Sequence, residues 1–125
     1  HDFFDAVGVY SRRGGYESCL RLLDAPNRPT GVFASNLLVG VGALAATRER
    51  NLRVPEDISI IAMEAEDASY TSPPLTAIAT PLEEMGARAV DEVDSIFRGR
   101  DPKDVVIDTP PQLIVRESLG PPPKS

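Results

Sequence analysis

The chain has 125 residues, with 13 basic and 19 acidic side chains and a formal net charge of -6 at pH 7. This length fits one domain or part of a larger domain, and the acidic balance argues against a direct electrostatic contact with nucleic-acid phosphates. One cysteine and a single histidine at residue 1 exclude an internal disulfide and a zinc cluster. No apolar run approaches the roughly 20 residues of a membrane span, so we expect a cytoplasmic protein without metal, cofactor or membrane contact.

The first part of the chain alternates short strands with helices. "AVGVY" (6–10) predicts a strand, Gly14-Gly15 a loop, and apolar residues at helical spacing from Tyr16 to Leu23 a helix. "TGVFAS" (30–35) predicts the second strand. "NLLVGVGALAATRERN" (36–51) predicts the second helix, whose first turns are apolar nearly all round.

A third strand is predicted where Ile58 to Met63 follow the turn around Pro55. This run has no polar alternation, which is typical of a strand covered on both faces. Alternating strands and helices predict an α/β fold with a parallel sheet and right-handed crossovers.

The start of the third helix is marked by three residues. After the strand "LTAIAT" (75–80), Thr80 can serve as N-cap, Pro81 as the first helical residue and Glu83 as the partner in a capping box. Gly99 ends the helix. Its predicted apolar stripe consists of Leu82, Met85, Ala89, Val93 and Ile96.

The last part of the chain is rich in proline. "DVVID" (104–108) and "QLIVRES" (112–118) predict two further short strands. The remainder, 119–125, predicts a disordered Pro-rich tail, so the folded part is expected to be 1–118.

Several of these segments carry a family pattern. "RPTGVFASN", "GALAATRERNLRVPEDISII", "PPLTAIATPLEEMGARAV" and "LIVRES" stand in an order and spacing that closely resemble the carboxyl-terminal half of the effector-binding region of LacI/GalR-type transcriptional regulators. The resemblance covers roughly residues 5 to 118. It implies a partial periplasmic-binding-protein-like (type I) fold, with one lobe and crossover segments to the other. It also implies that DNA is bound only through an amino-terminal domain absent from this chain.

The resemblance implies four positions that face a small-molecule effector. Phe33 matches a residue that packs on the ligand ring, Asn36 a polar contact after a strand, Glu64 a carboxylate at the next strand end, and Thr80 a polar group near the hinge. Tyr10, at the end of the first predicted strand, is a further candidate. Two acidic positions of the family pattern are changed, to leucine and alanine, at residues 37 and 65.

Each candidate also has a purely structural interpretation. Asn36 is a preferred N-cap residue, Glu64 can be a solvated strand-end acid, and Thr80 is most simply a helix cap. Phe33 and Tyr10 can be packing residues. In favour of a site, ligands of open α/β sheets bind beyond the carboxyl ends of strands, where Asn36 and Glu64 lie, and a carboxylate with an amide suits a sugar or polyol.

A homodimer is a further expectation from the resemblance. Family members dimerise through the second helix and the loop that matches Ala68 to Pro74. The predicted interface comprises Leu38, Val41, Gly42, Ala45, Ser69 and Tyr70.

An enzyme is not expected, because the chain has no internal histidine to act as a base and no phosphate-binding glycine loop at a strand-to-helix turn. The sequence therefore predicts the ligand-binding part of a LacI-type regulator that senses a small molecule, expected to be a sugar. The alternatives are a periplasmic-type sugar-binding receptor of a transport system, which has the same fold, and an interaction module without ligand.

Overall fold

Short strands and helices alternate along the chain in the computed structural model, which describes residues 9–64 and 66–123. The chain divides into two units, the first formed by the described residues up to Ala79 and from Leu113 onward, the second by Thr80–Gln112. The elements are α1 (Arg12–Leu23), β1 (Gly31–Ala34), α2 (Leu37–Glu49), β2 (Ser59–Met63), a short 3₁₀ helix (Asp67–Tyr70), β3 (Thr76–Ala79), α3 (Leu82–Phe97) and β4 (Gln112–Ile114).

The sheet has the strand order β1-β2-β3-β4. β1 pairs with β2 in parallel, with Ala34 opposite Ala62, and β2 pairs with β3 in parallel, with Ala62 opposite Ala77. Helix α2 provides the crossover between β1 and β2. The predicted α/β fold with a parallel sheet is thus confirmed.

Helix α2 packs on one face of the sheet. A Cβ at Gly40 would lie 3.2 Å from the Ala62 Cβ and 3.6 Å from the Ala34 Cβ, so the helix backbone approaches the strands closely. On β2, Ile60 and Ala62 are fully buried, whereas the alternate positions are only half-buried. Helix α2 covers the face of β2 that carries Ile60 and Ala62, and the other face stays partly accessible in the described structure. The expectation that both faces of β2 are covered is therefore wrong.

Gly14 and Gly15 lie in the first turn of α1 and not in a loop, which corrects the sequence prediction. The helix starts earlier because the Ser11 side chain caps it, accepting a hydrogen bond from the Gly14 N–H at 3.0 Å. A Cβ at Gly15 would lie 2.4 Å from the Val39 carbonyl oxygen, and one at Gly42 would lie 2.1 Å from the Arg12 carbonyl oxygen. These glycines therefore allow α1 and α2 to pack backbone against backbone.

Polar side chains join the ends of the same two helices. The Arg50 guanidinium donates two hydrogen bonds to the Asp24 carboxylate, both at 2.8 Å, and a third to Glu49. The Tyr16 hydroxyl donates to the Glu49 carboxylate. The bond from Arg50 holds the pKa of Asp24 below its usual range. Because these side chains are largely exposed, their hydrogen bonds help to orient the ends of α1 and α2 but add little stability.

The carboxyl-terminal segment joins β2 to β3. Ser118 is fully buried, and its Oγ accepts a hydrogen bond from the Thr76 N–H at 2.8 Å and donates one to the Ile60 carbonyl at 2.5 Å. The Ile60 N–H in turn donates to the Ser118 carbonyl at 2.9 Å. The Arg116 N–H donates to the Thr76 Oγ1 at 2.9 Å. This segment therefore completes the sheet at the amino ends of β2 and β3.

Two boundaries differ from the sequence prediction. Most of the predicted first strand lies outside the described residues, and Val9 and Tyr10 are exposed and not in a strand. The predicted tail from residue 119 begins too early, because the Gly120 N–H donates to the Ser59 Oγ at 3.0 Å. The fold thus extends at least two residues beyond 118.

The second unit is built on α3, whose start differs from the predicted capping box. Pro81 is the N-cap, with φ -76° and ψ 61°, and no side chain caps the helix. These angles form an inverse γ-turn, in which the Leu82 N–H donates to the Thr80 carbonyl at 2.8 Å. The turn shifts the helix start by one residue, so the Thr80 side chain does not cap it.

The end of α3 agrees with the prediction. Gly99 has φ +81°, and its N–H donates to the Ile96 carbonyl at 2.9 Å, while the Arg100 N–H donates to the Ser95 carbonyl at 3.1 Å, as in a Schellman motif. The predicted apolar stripe is exposed, since none of the α3 residues is buried in the described structure. Residues 104–108 form no strand. Across the described chain, every helix is too short or too polar to pass through a bilayer.

A pair of glycine substitutions tests the helix contact. Gly42→Ala places a Cβ 2.1 Å from the Arg12 carbonyl oxygen, so we expect a loss of about 1–3 kcal/mol, although alanine favours helix. Gly86→Ala in α3 meets no atom within 4 Å and should add about 0.5–1 kcal/mol. Amide hydrogen exchange in α2 and α3 reports the two effects separately. Equal stabilisation by both substitutions would contradict the close contact.

Removal of the Ser118 hydroxyl tests the segment that joins β2 to β3. Ser118→Ala leaves the Thr76 N–H and the Ile60 carbonyl without this partner in a buried place, so we expect a loss of about 2 kcal/mol in urea unfolding. Ser72→Ala is the matched control, because the Ser72 side chain is exposed and has no hydrogen bond among the described residues. Similar effects of the two substitutions would show that the buried bonds contribute little.

Candidate functional site

Asn36 and Glu64 follow the carboxyl ends of β1 and β2 and meet at the amino end of α2. Asn36 is the N-cap of the helix, and its Oδ1 accepts a hydrogen bond from the Val39 N–H at 2.8 Å. The Glu64 Oε2 accepts one from the Leu37 N–H at 3.2 Å. The parallel pairing of β1 with β2 brings the two side chains to the same helix turn. The capping role of Asn36 is confirmed.

Glu64 has an unusual backbone conformation. Its φ of +71° lies in the left-handed region, which side-chain-bearing residues seldom adopt. The Glu64 N–H donates to the Ile78 carbonyl of β3 at 3.2 Å, and the side chain bonds to Leu37. Glu64 therefore links the carboxyl ends of β2 and β3 to the start of α2. Strained residues of this kind concentrate at functional sites.

Phe33 precedes the same edge on β1. Its side chain is 61% exposed, and its register partner on β2 is Ile61. Phe33 is thus not a core residue in the described structure, which contradicts the packing interpretation. An exposed ring at this position offers an apolar face beside the polar groups that follow β1.

Among the described residues, Tyr10 and Thr80 make no hydrogen bond to Asn36 or Glu64. Tyr10 is exposed and lies in the bend before α1. Thr80 is half-buried, directly follows β3, and belongs to the second unit. Its carbonyl accepts the hydrogen bond of the inverse γ-turn described above.

The loop after β2 adds negative charge to this edge. Glu66 and Asp67 are exposed, as expected for a charged loop, and Asp67 starts the 3₁₀ helix. Within residues 9–64 and 66–123, no group of three or more His, Cys, Asp or Glu side chains is arranged to hold a metal ion. Asn36 and Glu64 offer hydrogen-bond acceptors and an amide donor, and Phe33 offers an aromatic face. These groups can bind a ligand.

A groove of about 460 Å³ lies within the second unit. It is lined by residues of α3, by Arg100 and by residues 103–106, with side chains of both charges. No predicted site residue lines it.

The sequence prediction missed the backbone part of the site. The Leu37 N–H stands where the family pattern has an acid, and it holds the Glu64 carboxylate. The available signal was Asn36 itself, because an N-cap implies exposed amides in the turn that follows. The left-handed conformation of Glu64 had no signal in the sequence.

Most residues of the predicted dimer interface are accessible. Leu38 is 43% exposed and Tyr70 86% exposed, Ala45 and Ser69 are exposed, and Val41 is half-buried. Gly42 is the exception and corrects the prediction, because it is buried against α1 of the same chain. The apolar positions at 38, 41 and 45 share one face of α2, since they are spaced by three and four residues.

Residues 2–119 match the model of the periplasmic binding protein-like domain family. Among curated relatives, the chain is 38% identical over 113 residues to the HTH-type transcriptional repressor PurR of Pasteurella multocida, covering 90% of this chain and 34% of that protein. It is also 38% identical to the HTH-type transcriptional regulator DegA of Bacillus subtilis, covering 90% and 33%. The chain therefore spans about a third of the length of these relatives.

Solved structures agree with this match. A LacI family transcriptional regulator from Mycobacterium smegmatis superposes with a TM-score of 0.84 at 32% identity, covering 92% of this chain and 44% of that one. A LacI family regulator from Enterococcus faecium with bound ribose has a TM-score of 0.78 at 31% identity, covering 93% and 43%. One from Arthrobacter in complex with lactose has a TM-score of 0.74 at 27% identity, covering 90% and 42%.

The relatives and the neighbouring structures are transcriptional regulators and not enzymes. Together with the parallel sheet and its strand-end polar groups, these matches place the chain in the periplasmic binding protein-like domain family, as part of the effector-binding region of a LacI-family regulator.

Proposed function

We propose that the intact protein is a transcriptional regulator in which Asn36 and Glu64 bind a polar small-molecule effector, most simply a sugar. The observation that carries this proposal is the meeting of the two side chains at the amino end of α2, beyond the carboxyl ends of β1 and β2. Open α/β sheets bind their ligands at this edge. The neighbouring structures with ribose and lactose support a sugar as the ligand class.

The chemistry of the edge suits a hydroxyl-rich ligand. Capping uses the Oδ1 of Asn36 and leaves its Nδ2 as a donor, with no hydrogen bond to another described residue. The Glu64 carboxylate has further acceptor positions beside the one that bonds to Leu37. The exposed Phe33 ring can pack on the C–H face of a sugar. For Thr80 and Tyr10, a ligand contact is proposed from the sequence pattern alone.

In this proposal the chain senses the effector, and DNA is bound elsewhere in the protein. The net charge of -6 opposes a contact with phosphates, and the relatives are named as HTH-type regulators. Effector binding then changes DNA affinity through a coupling free energy of about 1–3 kcal/mol, as is usual for allosteric proteins. A regulator of this kind acts in the cytoplasm. The transport-receptor alternative has no observation that favours it.

A homodimer is the second part of the proposal. Leu38, Val41 and Ala45 form an apolar face on α2. Arg48, one turn beyond Ala45, donates to the Ser72 carbonyl and so holds the loop after the 3₁₀ helix beside the end of α2. Ser69 and Tyr70 therefore extend the same face, which we name the α2 face. Its self-association gives a two-fold interface.

Substitution of the two strand-end residues tests effector binding. In the intact regulator, calorimetry with a sugar selected from a panel that includes ribose and lactose should give a 5- to 150-fold weaker affinity for Glu64→Ala, about 1–3 kcal/mol. Asn36→Asp should have a similar effect, because it keeps the capping oxygen and removes the amide donor. Unchanged affinity in both variants would leave these residues with a structural role only.

Glu66→Ala is the matched control for the loss of charge. Glu66 is exposed, and only its carbonyl takes part in a hydrogen bond described here, with Ser69. We expect less than a threefold change in affinity. Thermal unfolding of each variant distinguishes a lost contact from a lost fold.

Substitutions on the α2 face, one that adds a charge and one that removes a large side chain, test the dimer. Val41→Glu and Tyr70→Ala should shift the intact protein towards the monomer in analytical ultracentrifugation at micromolar concentration, since the apolar centre of an interface carries most of its binding energy. Val115→Glu is the control, because Val115 is 63% exposed and lies in the carboxyl-terminal segment, outside the α2 face. A monomeric wild-type protein under these conditions would refute the proposed dimer.

A further inference from the structure

The amino end of α2 already holds a negative group supplied by the chain itself. Exposed amides and the helix dipole make a helix amino terminus attractive to anions such as phosphate. Here the Glu64 carboxylate accepts from the Leu37 N–H at 3.2 Å, and the Asn36 Oδ1 accepts from the Val39 N–H at 2.8 Å. The Gly40 N–H donates to the Asn36 carbonyl at 3.1 Å. An incoming anion therefore competes with Glu64 for this position.

Glu64 is fixed at this place by its backbone. The Glu64 N–H donates to the Ile78 carbonyl at 3.2 Å, its φ is +71°, and its side chain reaches the Leu37 N–H at the start of α2. To withdraw from a ligand, the Glu64 side chain must give up its hydrogen bond with the Leu37 N–H.

The charges of the neighbouring loops have the same sign. Glu64, Glu66 and Asp67 are exposed acids that follow β2, and the loop after β1 consists of the uncharged Ser35 and Asn36. Neither of these two loops contains a lysine or arginine, and the exposed Arg12 and Arg13 lie instead at the start of α1. An anionic ligand at this edge thus meets like charge without a compensating cation from these loops, which is costly when water is excluded.

We propose that the effector site selects neutral, hydroxyl-rich ligands and rejects their anionic derivatives, such as sugar phosphates and sugar acids. This inference rests on the proposed function, since it assumes that the effector contacts Asn36 and Glu64. A neutral sugar donates hydroxyl hydrogens to the Glu64 carboxylate and accepts from the Asn36 amide. A phosphate group donates little and brings its negative charge against Glu64.

Matched pairs of probes test this selection. Ribose is compared with ribose 5-phosphate, glucose with glucuronate, and galactose with galacturonate, by calorimetry on the intact regulator. We expect the neutral member of each pair that binds to do so at least about tenfold more tightly. Glu64→Gln should reduce this ratio, and Glu66→Gln, which removes the same charge farther from α2, should reduce it less. An anionic member that binds wild-type protein as tightly as its neutral partner would overturn the inference.

A second measurement separates this inference from the proposed function. Inorganic phosphate is titrated while the backbone amides of Leu37 and Leu38 are observed by NMR. We expect no saturable shift in the wild type and a saturable shift in Glu64→Gln, which keeps an acceptor oxygen for the Leu37 N–H but removes the negative charge that repels phosphate. If no sugar binds but this contrast is seen, the sugar-sensing proposal fails and the inference about anions stands. Equal responses of the two proteins, whether both shift or neither does, would refute the role of Glu64.

Discussion

Helix α2 is held between the sheet on one side and α1 on the other, and both contacts need glycine. Gly40 allows the helix to approach Ala34 and Ala62, and Gly42 allows α1 to approach within the space that a Cβ would fill. Alanine, the smallest side chain after glycine, supplies many of the buried apolar positions around them. Because these contacts join backbones and short side chains, they leave α2 little freedom to slide or tilt. The amino end of α2, with Asn36 and Glu64, is positioned by this packing.

The sequence predicted those parts of the fold that depend on periodicity and local caps. The strands β1, β2 and β3, the helix α3 with its end at Gly99, and the capping by Asn36 follow from apolar spacing and cap chemistry. The same rules failed where a distant contact decides the outcome. Gly14 and Gly15 are typical loop residues by themselves, and their place in a helix depends on the Ser11 cap together with the close approach of α2. At Pro81 the prediction failed for a local reason, because an inverse γ-turn replaces the predicted first helical residue.

The sequence was enough to predict where the candidate site lies, but it did not predict how the side chains of the site are arranged. The position of Asn36 and Glu64 after two parallel strands was enough to expect them at one edge. Their shared helix turn, the bond from Leu37 to Glu64 and the left-handed backbone at Glu64 result from the register of the strands and the placement of α2. No local pattern encodes such a relation between residues 27 positions apart.

The buried Ser118 determines how late in translation the sheet can be completed. It bonds to Ile60, 58 positions earlier, and to Thr76, 42 positions earlier. Synthesis proceeds at about 5–20 residues per second, so β2 and β3 wait about 2 to 12 s for the residue that joins their amino ends. During that interval the nascent sheet has open polar groups at Ile60 and Thr76, and a chaperone at the tunnel exit has time to bind it. Final closure of the sheet thus belongs to the last stage of translation of this segment.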